Sequence, residues 1–420
     1  MSTVKVSKSR KMTLLGGLYI TQFLGLSFIL TAVPTIMREA GAGLDDIAWI
    51  YMLGLVWAVK FLWSPLVDRF GSKRHGHYRS WLISLQSLLM LSIVAAALFD
   101  INTQMPILAV FFMAISLFSA TQDIAADALA ITILEPRERG WGNSIQAAGG
   151  FIGNIIGGGV VLIAYAWLGW TASLLILAAG TALPLMNVWR HKEQPAPADG
   201  RPEKVSYKDL YRFFRRPNTS YWLVILLFFG VSVSISYGLI NPMLVDIGWS
   251  LNQIGFATNI LGSLASVVGA IIAGVIVQRV GRKSAMLSAS IFTALSLFGL
   301  FLPAQGVSSN LAIYSSIILM MLAYGATSTV LYTMMMDKSN PETAGTDYSL
   351  QYALYSFFSF VMAGVALAFA ESFGYSVILI AAIAVGVFSL VLLLFYKGFE
   401  PTDFERSVQS TEPQLAGAAD

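Results

Sequence analysis

Cysteine is absent from the 420 residues, and charge is scarce: Asp, Glu, Lys and Arg together make up 12% of the chain, about half the share of a soluble domain. The first absence excludes disulfides, thiolate metal sites and a cysteine nucleophile. The second leaves too little polar surface to keep a folded domain in water. A phosphate-cradling loop is also missing. The Gly-Arg-Lys-Ser string at Gly281–Ser284 lacks the preceding glycine loop and the Gly-Lys pair of a nucleotide site. What fills the chain is apolar: 56% hydrophobic residues and a mean hydropathy of +0.70. Such a composition belongs to a membrane protein with little length left for a soluble domain.

Because lipid offers no partner for backbone amides, uninterrupted apolar runs bounded by charge, Pro or Gly are the unit to count. Twelve such runs predict an all-α protein with spans near 12–36, 47–67, 80–99, 106–133, 142–165, 168–188, 219–241, 252–277, 284–302, 311–335, 347–370 and 374–396. The first has a basic leader, but its apolar stretch of about 25 residues exceeds the core of a signal peptide, so it is expected to be retained. If spans alternate in direction, 24 of the 26 Lys and Arg fall on one side, with only Arg38 opposite and Lys60 inside a span. Basic loops stay cytoplasmic, so both termini are expected there, in a bacterial inner membrane. This asymmetry accounts for the basic clusters without nucleic acid. The loop residues His75 and His77 need no special role.

The chain also repeats itself. Asp68-Arg69-Phe70-Gly71-Ser72-Lys73-Arg74 after span 2 is echoed by Gln278-Arg279-Val280-Gly281-Arg282-Lys283 after span 8, 210 residues on. Pro136, Gly140 and Gln146 are echoed by Pro341, Gly345 and Gln351, 205 residues on. Two similar offsets at corresponding loops divide the chain into a first six-helix bundle (1–188), a basic linker (189–218), a second bundle (219–396) and a tail (397–420). In the linker, basic residues alternate with Leu210, Tyr211, Phe213 and Phe214, a pattern for a short helix on the membrane surface.

Six spans, a basic linker and six more, with Asp-Arg-x-Gly-x-Lys-Arg between spans 2 and 3, resemble the major facilitator superfamily. The resemblance covers essentially the whole chain. It implies two pseudo-symmetric six-helix bundles and transport by alternating access, with no enzymatic activity and no cofactor. The loop reads as a gate: a tight turn at Gly71, with Asp68 capping a helix end or pairing with Arg137 or Arg139. Arg69 and Arg74 lie beside it, and Arg279 and Gly281 are its echo. Since Gln278 replaces the Asp, the latch is expected to be asymmetric. A narrower resemblance, carried by Ala120-Thr-Gln-Asp-Ile-Ala-Ala-Asp, Pro136-Arg-Glu-Arg-Gly140 and Trp63-Ser-Pro-Leu-Val-Asp-Arg-Phe-Gly, is to the muropeptide permease group. That group's relatives are the acetyl-CoA transporters and the siderophore permeases of the rhizobactin and pyochelin type. Muropeptide permeases are usually longer, so the twelve-span length points to ferric siderophore import first and muropeptide import second. A sensor sharing the fold without flux is the alternative of another class.

Ionisable residues within a span cost about 2.5–3.5 kcal/mol each on insertion scales. Three stand out: Lys60 in span 2, and Asp123 and Asp127 four apart on one face of span 4. Counted at about 1.5 Å per residue from their basic-side ends, Lys60 and Asp127 share a level. They are therefore expected to pair, leaving Asp123 to exchange protons. Candidate cavity residues are Tyr19, Gln22 and Phe23 in span 1, Tyr237 and Asn241 in span 7, Tyr324 and Tyr332 in span 10, and Tyr348, Gln351, Tyr352 and Tyr355 in span 11. Their phenol and amide groups suit a bulky, aromatic or amide-bearing small molecule. Gly149, Gly153 and Gly157 in span 5, with Gly262, Ser266, Gly269, Ala273 and Gly274 in span 8, form small-residue faces. By the superfamily resemblance these faces meet as a seam between the halves. The expected partners are thus a small-molecule solute, protons and lipid, with the chain working as a monomer.

Overall fold

The computed structural model describes residues 7–40, 49–72, 75–101, 103–193 and 205–399. Twelve membrane-crossing segments form two six-helix bundles. In the first half they are α1 (Lys8–Glu39), α2 (Trp49–Leu62, continuing through Ser64–Arg69), α3 (His77–Ala96), α4 (Met105–Ile133), α5 (139–168) and α6 (170–190). The second half holds α7 (Thr219–Asp246), α8 (253–280), α9 (282–304), α10 (Asn310–Asp337), α11 (Pro341–Phe373) and α12 (Tyr375–Phe395). A short helix, Lys208–Phe214, lies in the linker. Arg74, residues 194–204 of the linker and most of the tail lie outside the described residues.

Large apolar side chains such as Trp167, Leu311 and Phe360 are exposed on the rim, where lipid rather than water is their natural neighbour. Polar residues are instead drawn inward: Gln22, Gln86, Gln122 and Asn143 are fully buried. Gln86 and Gln122 both donate to Thr21 Oγ1 at 3.1 Å, tying α3 and α4 to α1.

The repeat is visible in the turns. Gly169 between α5 and α6 (φ 77°) and Gly374 between α11 and α12 (φ 80°) both adopt the left-handed backbone that glycine tolerates, 205 residues apart. Gly281 does the same between α8 and α9 (φ 81°). The expected tight turn at Gly71 is not of this kind. Gly71 is needed because a side chain there would strike the His77 ring, and the positive φ falls on Gly76 instead. Ion pairs repeat as well: Lys11 at the start of α1 holds Glu138 before α5 (2.7 Å), and Arg216, 205 residues after Lys11, holds Asp347 near the start of α11 (2.5 Å).

The glycine faces divide differently from the expected seam. Gly149, Gly153 and Gly157 pack on Tyr19, Phe23 and Leu24 of α1, within their own half, and Ser266 and Gly269 pack on Gly325 and Leu322 of α10. The seam between α5 and α8 uses the basic-side ends of those faces, where Gly140 meets Val277 and Gly274 meets Ser144.

Candidate functional site

α2 is broken where Lys60 sits. Lys60–Leu62 forms a 3-10 turn, Trp63 leaves the helix, and Pro65 restarts it without a donor of its own. The Ser64 hydroxyl bonds the Phe61 carbonyl at 2.9 Å, satisfying an acceptor freed by the break. α4, by contrast, is continuous for 29 residues and carries Asp123 and Asp127 one turn apart.

The break changes which acid Lys60 meets. Its ammonium contacts the Asp123 carboxylate, not Asp127 as the level count implies. A 3-10 turn rises about 2.0 Å per residue instead of 1.5, and the loosened backbone at Trp63 lifts Lys60 further from the basic end than a straight helix allows. Gln22 Nε2 donates to the same Asp123 at 2.5 Å. The Lys60 ammonium also lies 4.7 Å from the Tyr352 ring centroid and 5.1 Å from that of Trp57, aromatic faces that attract a cation out of water. Asp127 has other partners. Its Oδ1 accepts from Tyr19 Oη (3.1 Å) and Gln146 Nε2 (2.9 Å), while Oδ2 has no hydrogen-bond partner among the described residues. Gln146 Oε1 in turn accepts from Tyr348 Oη of the other half at 3.1 Å.

Above this group, on the side away from the basic end, lies a cavity of about 340 Å³ between the halves, a size typical of small-molecule sites. Tyr237, Tyr324, Tyr332, Tyr352, Phe23 and Phe151 give it an aromatic wall; Asp123, Gln146, Asn154, Ser263 and Ser328 give it polar points. Of the expected lining, Phe23, Tyr237, Tyr324, Tyr332 and Tyr352 are present. Tyr19 and Gln22 lie beneath, bound to the acids. Asn241 is exposed and does not line the cavity. Tyr355 is buried against Gly230. Gln351 accepts from Trp222 Nε1 (2.7 Å) and donates to Ser339 and Met335 (3.1 Å each), so it is a packing residue at the basic end. Gln146, Phe151 and Asn154 were not legible as lining: only helix packing shows which face of α5 turns inward.

Hydrogen bonds joining the halves gather at the basic end. Asp68 caps α11 across the seam: it accepts from the Gly345 and Thr346 amides (3.0 and 2.7 Å) and the Thr346 hydroxyl (2.6 Å), with Tyr78 Oη adding a bond at 2.9 Å. The first-turn amides and the positive helix end suit a carboxylate. The helix-cap role is thus realised, and Asp68 does not pair with Arg137 or Arg139. Arg139 instead bonds Asp337 (2.9 Å), which also takes Arg282 (2.8 Å), and Arg282 reaches the Pro136 carbonyl. The echo position Gln278 accepts from Trp141 Nε1 at 2.5 Å, so the corresponding latch is neutral. Arg69 lies over the Phe70 ring, and Arg137 and Arg279 are exposed. Asp337 and Arg282 were missed; the only signal was an acid at the end of span 10 facing a basic loop.

Outside the membrane-crossing segments, burial raises the pKa of Tyr396 and lowers that of a histidine. His191, just past α6, is buried, and burial together with Arg10 and Arg79 holds its pKa below the usual 6.5. It sits where Arg79 bonds the Val188 and Trp189 carbonyls (3.1 and 2.8 Å) and Glu193 caps α3 at the Arg79 amide (2.7 Å).

The Major Facilitator Superfamily model matches residues 15–361 and 230–417. The chain belongs to that superfamily. It is 29% identical over 381 residues to the anhydromuropeptide permease of Escherichia coli K12, covering 88% of this chain and 77% of that protein. It is 24% identical over 368 residues to a putative transporter, AmpG 4, of Rickettsia felis (83% and 87% covered). Among solved structures, the human organic anion transporter MFSD10 matches with a TM-score of 0.70 at 15% identity (92% and 100% covered). A bacterial homologue of ferroportin in its outward-facing state matches at 0.66 and 16% (92% and 98% covered). At those identities the two structures establish the shared fold and nothing about solute. The superfamily member described here is a multi-pass membrane transporter.

Proposed function

We propose that this transporter imports an anhydromuropeptide, or a closely similar sugar–peptide conjugate, by proton-driven alternating access in a bacterial inner membrane, with the basic end cytoplasmic. The observation that carries the solute is the 29% identity spread over 88% of the chain with the Escherichia coli permease. The cavity supports it: tyrosine faces stack on sugar rings, while Asn154, Gln146 and the serines offer bonds to acetamido and peptide groups. In that orientation the bonded basic end is a closed cytoplasmic gate, and the cavity above it belongs to the outward-facing state. The domain division, 1–188 and 219–396 around the linker, supplies the two bodies that rock.

Proton coupling rests on Lys60, Asp123 and Asp127. The exchangeable site is Asp127 rather than Asp123, since Asp123 has the ammonium in contact, while among the described residues Asp127 is bonded by the neutral Tyr19 and Gln146 and its Oδ2 has no hydrogen-bond partner. The Escherichia coli relative is named for anhydromuropeptide, so siderophore import becomes the competing outcome of a single test. Cells lacking their own permeases are supplied with labelled anhydromuropeptide or with ferric siderophore. Uptake of the first, abolished by collapsing the proton gradient and by Asp127→Asn, is expected. Uptake of only the second, or of neither, refutes the solute assignment.

A further inference from the structure

The tyrosines of α11 read as cavity lining in the sequence, and two of them also reach the buried charges of the other half, one through Gln146 and one directly. Tyr348 and Tyr352 are four residues apart and share a helix face. The first bonds Gln146, which bonds Asp127; the second covers Lys60. Gln146 is thus a two-ended connector, its amide N–H on the acid and its amide oxygen on the opposite half. It also lines the cavity.

The chemistry of an amide gives this connector a direction. An ionised Asp127 accepts hydrogen bonds only, so Gln146 must present its NH₂ to the acid and its oxygen to Tyr348. Charge-assisted bonds are roughly twice as strong as neutral ones, so the amide is then held firmly. Asp127 lies just below the cavity lining, next to Gln146, and when a proton delivered from the cavity reaches its Oδ2 the acid gains an O–H that needs an acceptor. Gln146 Oε1 is an acceptor on the side chain already bound to that acid. An amide that turns to take it offers Tyr348 an NH₂, and the Tyr348 hydroxyl hydrogen loses its acceptor. The charged and titratable groups facing Asp127 are Tyr19 on α1, Lys60 on α2, Asp123 on its own helix, and Tyr348 and Tyr352 on α11. Of these, Tyr348 and Tyr352 belong to the half that must move.

We propose that the Gln146–Tyr348 bond couples protonation of Asp127 to the gate: Gln146 and Tyr348 are positioning residues that hold the basic end shut while Asp127 is ionised and release it when a proton arrives. This rests on the proton-driven reading above.

The absence of cysteine permits a direct test. Spin labels at His75→Cys and Lys397→Cys, two exposed positions at the basic end, report the distance between the halves in nanodiscs without solute, from about pH 8 to about pH 5. The unmodified background should shift toward longer distances as pH falls. Tyr348→Phe, which removes one oxygen, should raise the open fraction about five- to tenfold at high pH and abolish the pH response. Asp127→Asn should also abolish it. Tyr19→Phe, which removes a donor to Asp127 from within its own half, should retain it. A Tyr348→Phe response parallel to the background, merely offset, overturns the coupling role and leaves proton drive standing. A background with no pH response, or Asp127→Asn with an intact one, overturns the proton reading and this proposal together.

Discussion

Removing either member of the Lys60–Asp123 pair should cost far more than removing both. Lys60 is fully buried and Asp123 nearly so. Leaving one as an uncompensated buried charge is worth about 3–5 kcal/mol, in line with about 2.5–3.5 kcal/mol for a lone charge at mid-membrane on insertion scales. Lys60→Met strands Asp123 with Gln22 as its one remaining hydrogen-bond donor among the described residues. Asp123→Asn strands the ammonium against the Trp57 and Tyr352 rings, contacts that supply about 0.5–2 kcal/mol each and offset part of the loss. The expected ordering is therefore Lys60→Met about 3–5 kcal/mol destabilised, Asp123→Asn about 2–3 kcal/mol, and the double variant within about 2 kcal/mol of the parent, a coupling energy of about 3 kcal/mol or more. Equilibrium unfolding of the purified protein in mixed micelles measures all four corners. Additivity within about 0.5 kcal/mol would mean the two groups do not share a partner, and the site built on their contact would fall with it. Transport should be lost in all three variants, so a stable but inactive double variant separates the pair's role in the cycle from its role in folding.

Further outcomes follow from the gate and the seam. Asp68→Asn turns an NH₂ or a neutral oxygen toward the Gly345 and Thr346 amides, so the closed basic end should weaken by about 1–3 kcal/mol, read as faster modification of a cysteine introduced at Thr346 than in the parent. Gly274→Val drives its new side chain into Ser144 and the Gly140 carbonyl, so uptake should fall at least tenfold; Gly364→Ala on α11, where a Cβ meets open space, should leave uptake unchanged. His191 is held neutral by burial and by Arg10 and Arg79, so the unfolded chain takes up its proton first as pH falls. Stability from docking residues 188–193 should therefore be intact above about pH 6.5 and decline as pH drops from there toward the lower folded value. His191→Gln should flatten that limb of the melting-temperature profile.

The parts of the fold that follow from composition were legible: twelve runs, their alternation, and the repeat offsets. The 205-residue offset proves deeper than the motif that revealed it, since it also relates Lys11 to Arg216 and Gly169 to Gly374. What the sequence hid was the packing angle of each helix. The α11 tyrosines have the right spacing for a lining stripe, yet Tyr348 points across the seam and Tyr355 into its own bundle. Likewise, no one-dimensional count reveals that the Lys60–Leu62 turn lengthens α2 and hands Lys60 to the other aspartate.

That exchange of partners decides the chemistry. An ion pair between Lys60 and Asp127 would have left Asp123, which lines the cavity, to exchange protons in direct contact with solute. The observed arrangement puts the ion pair at the cavity floor, where a solute meets a neutralised carboxylate, and sets the other acid one turn nearer the gate, bound to Gln146, whose amide oxygen takes Tyr348 of the opposite half. A proton on Asp123 would chiefly weaken an ion pair within one bundle. A proton on Asp127 alters a hydrogen-bond chain that ends on the other, and a chain of that kind converts a local change of charge into relative movement of the two bundles.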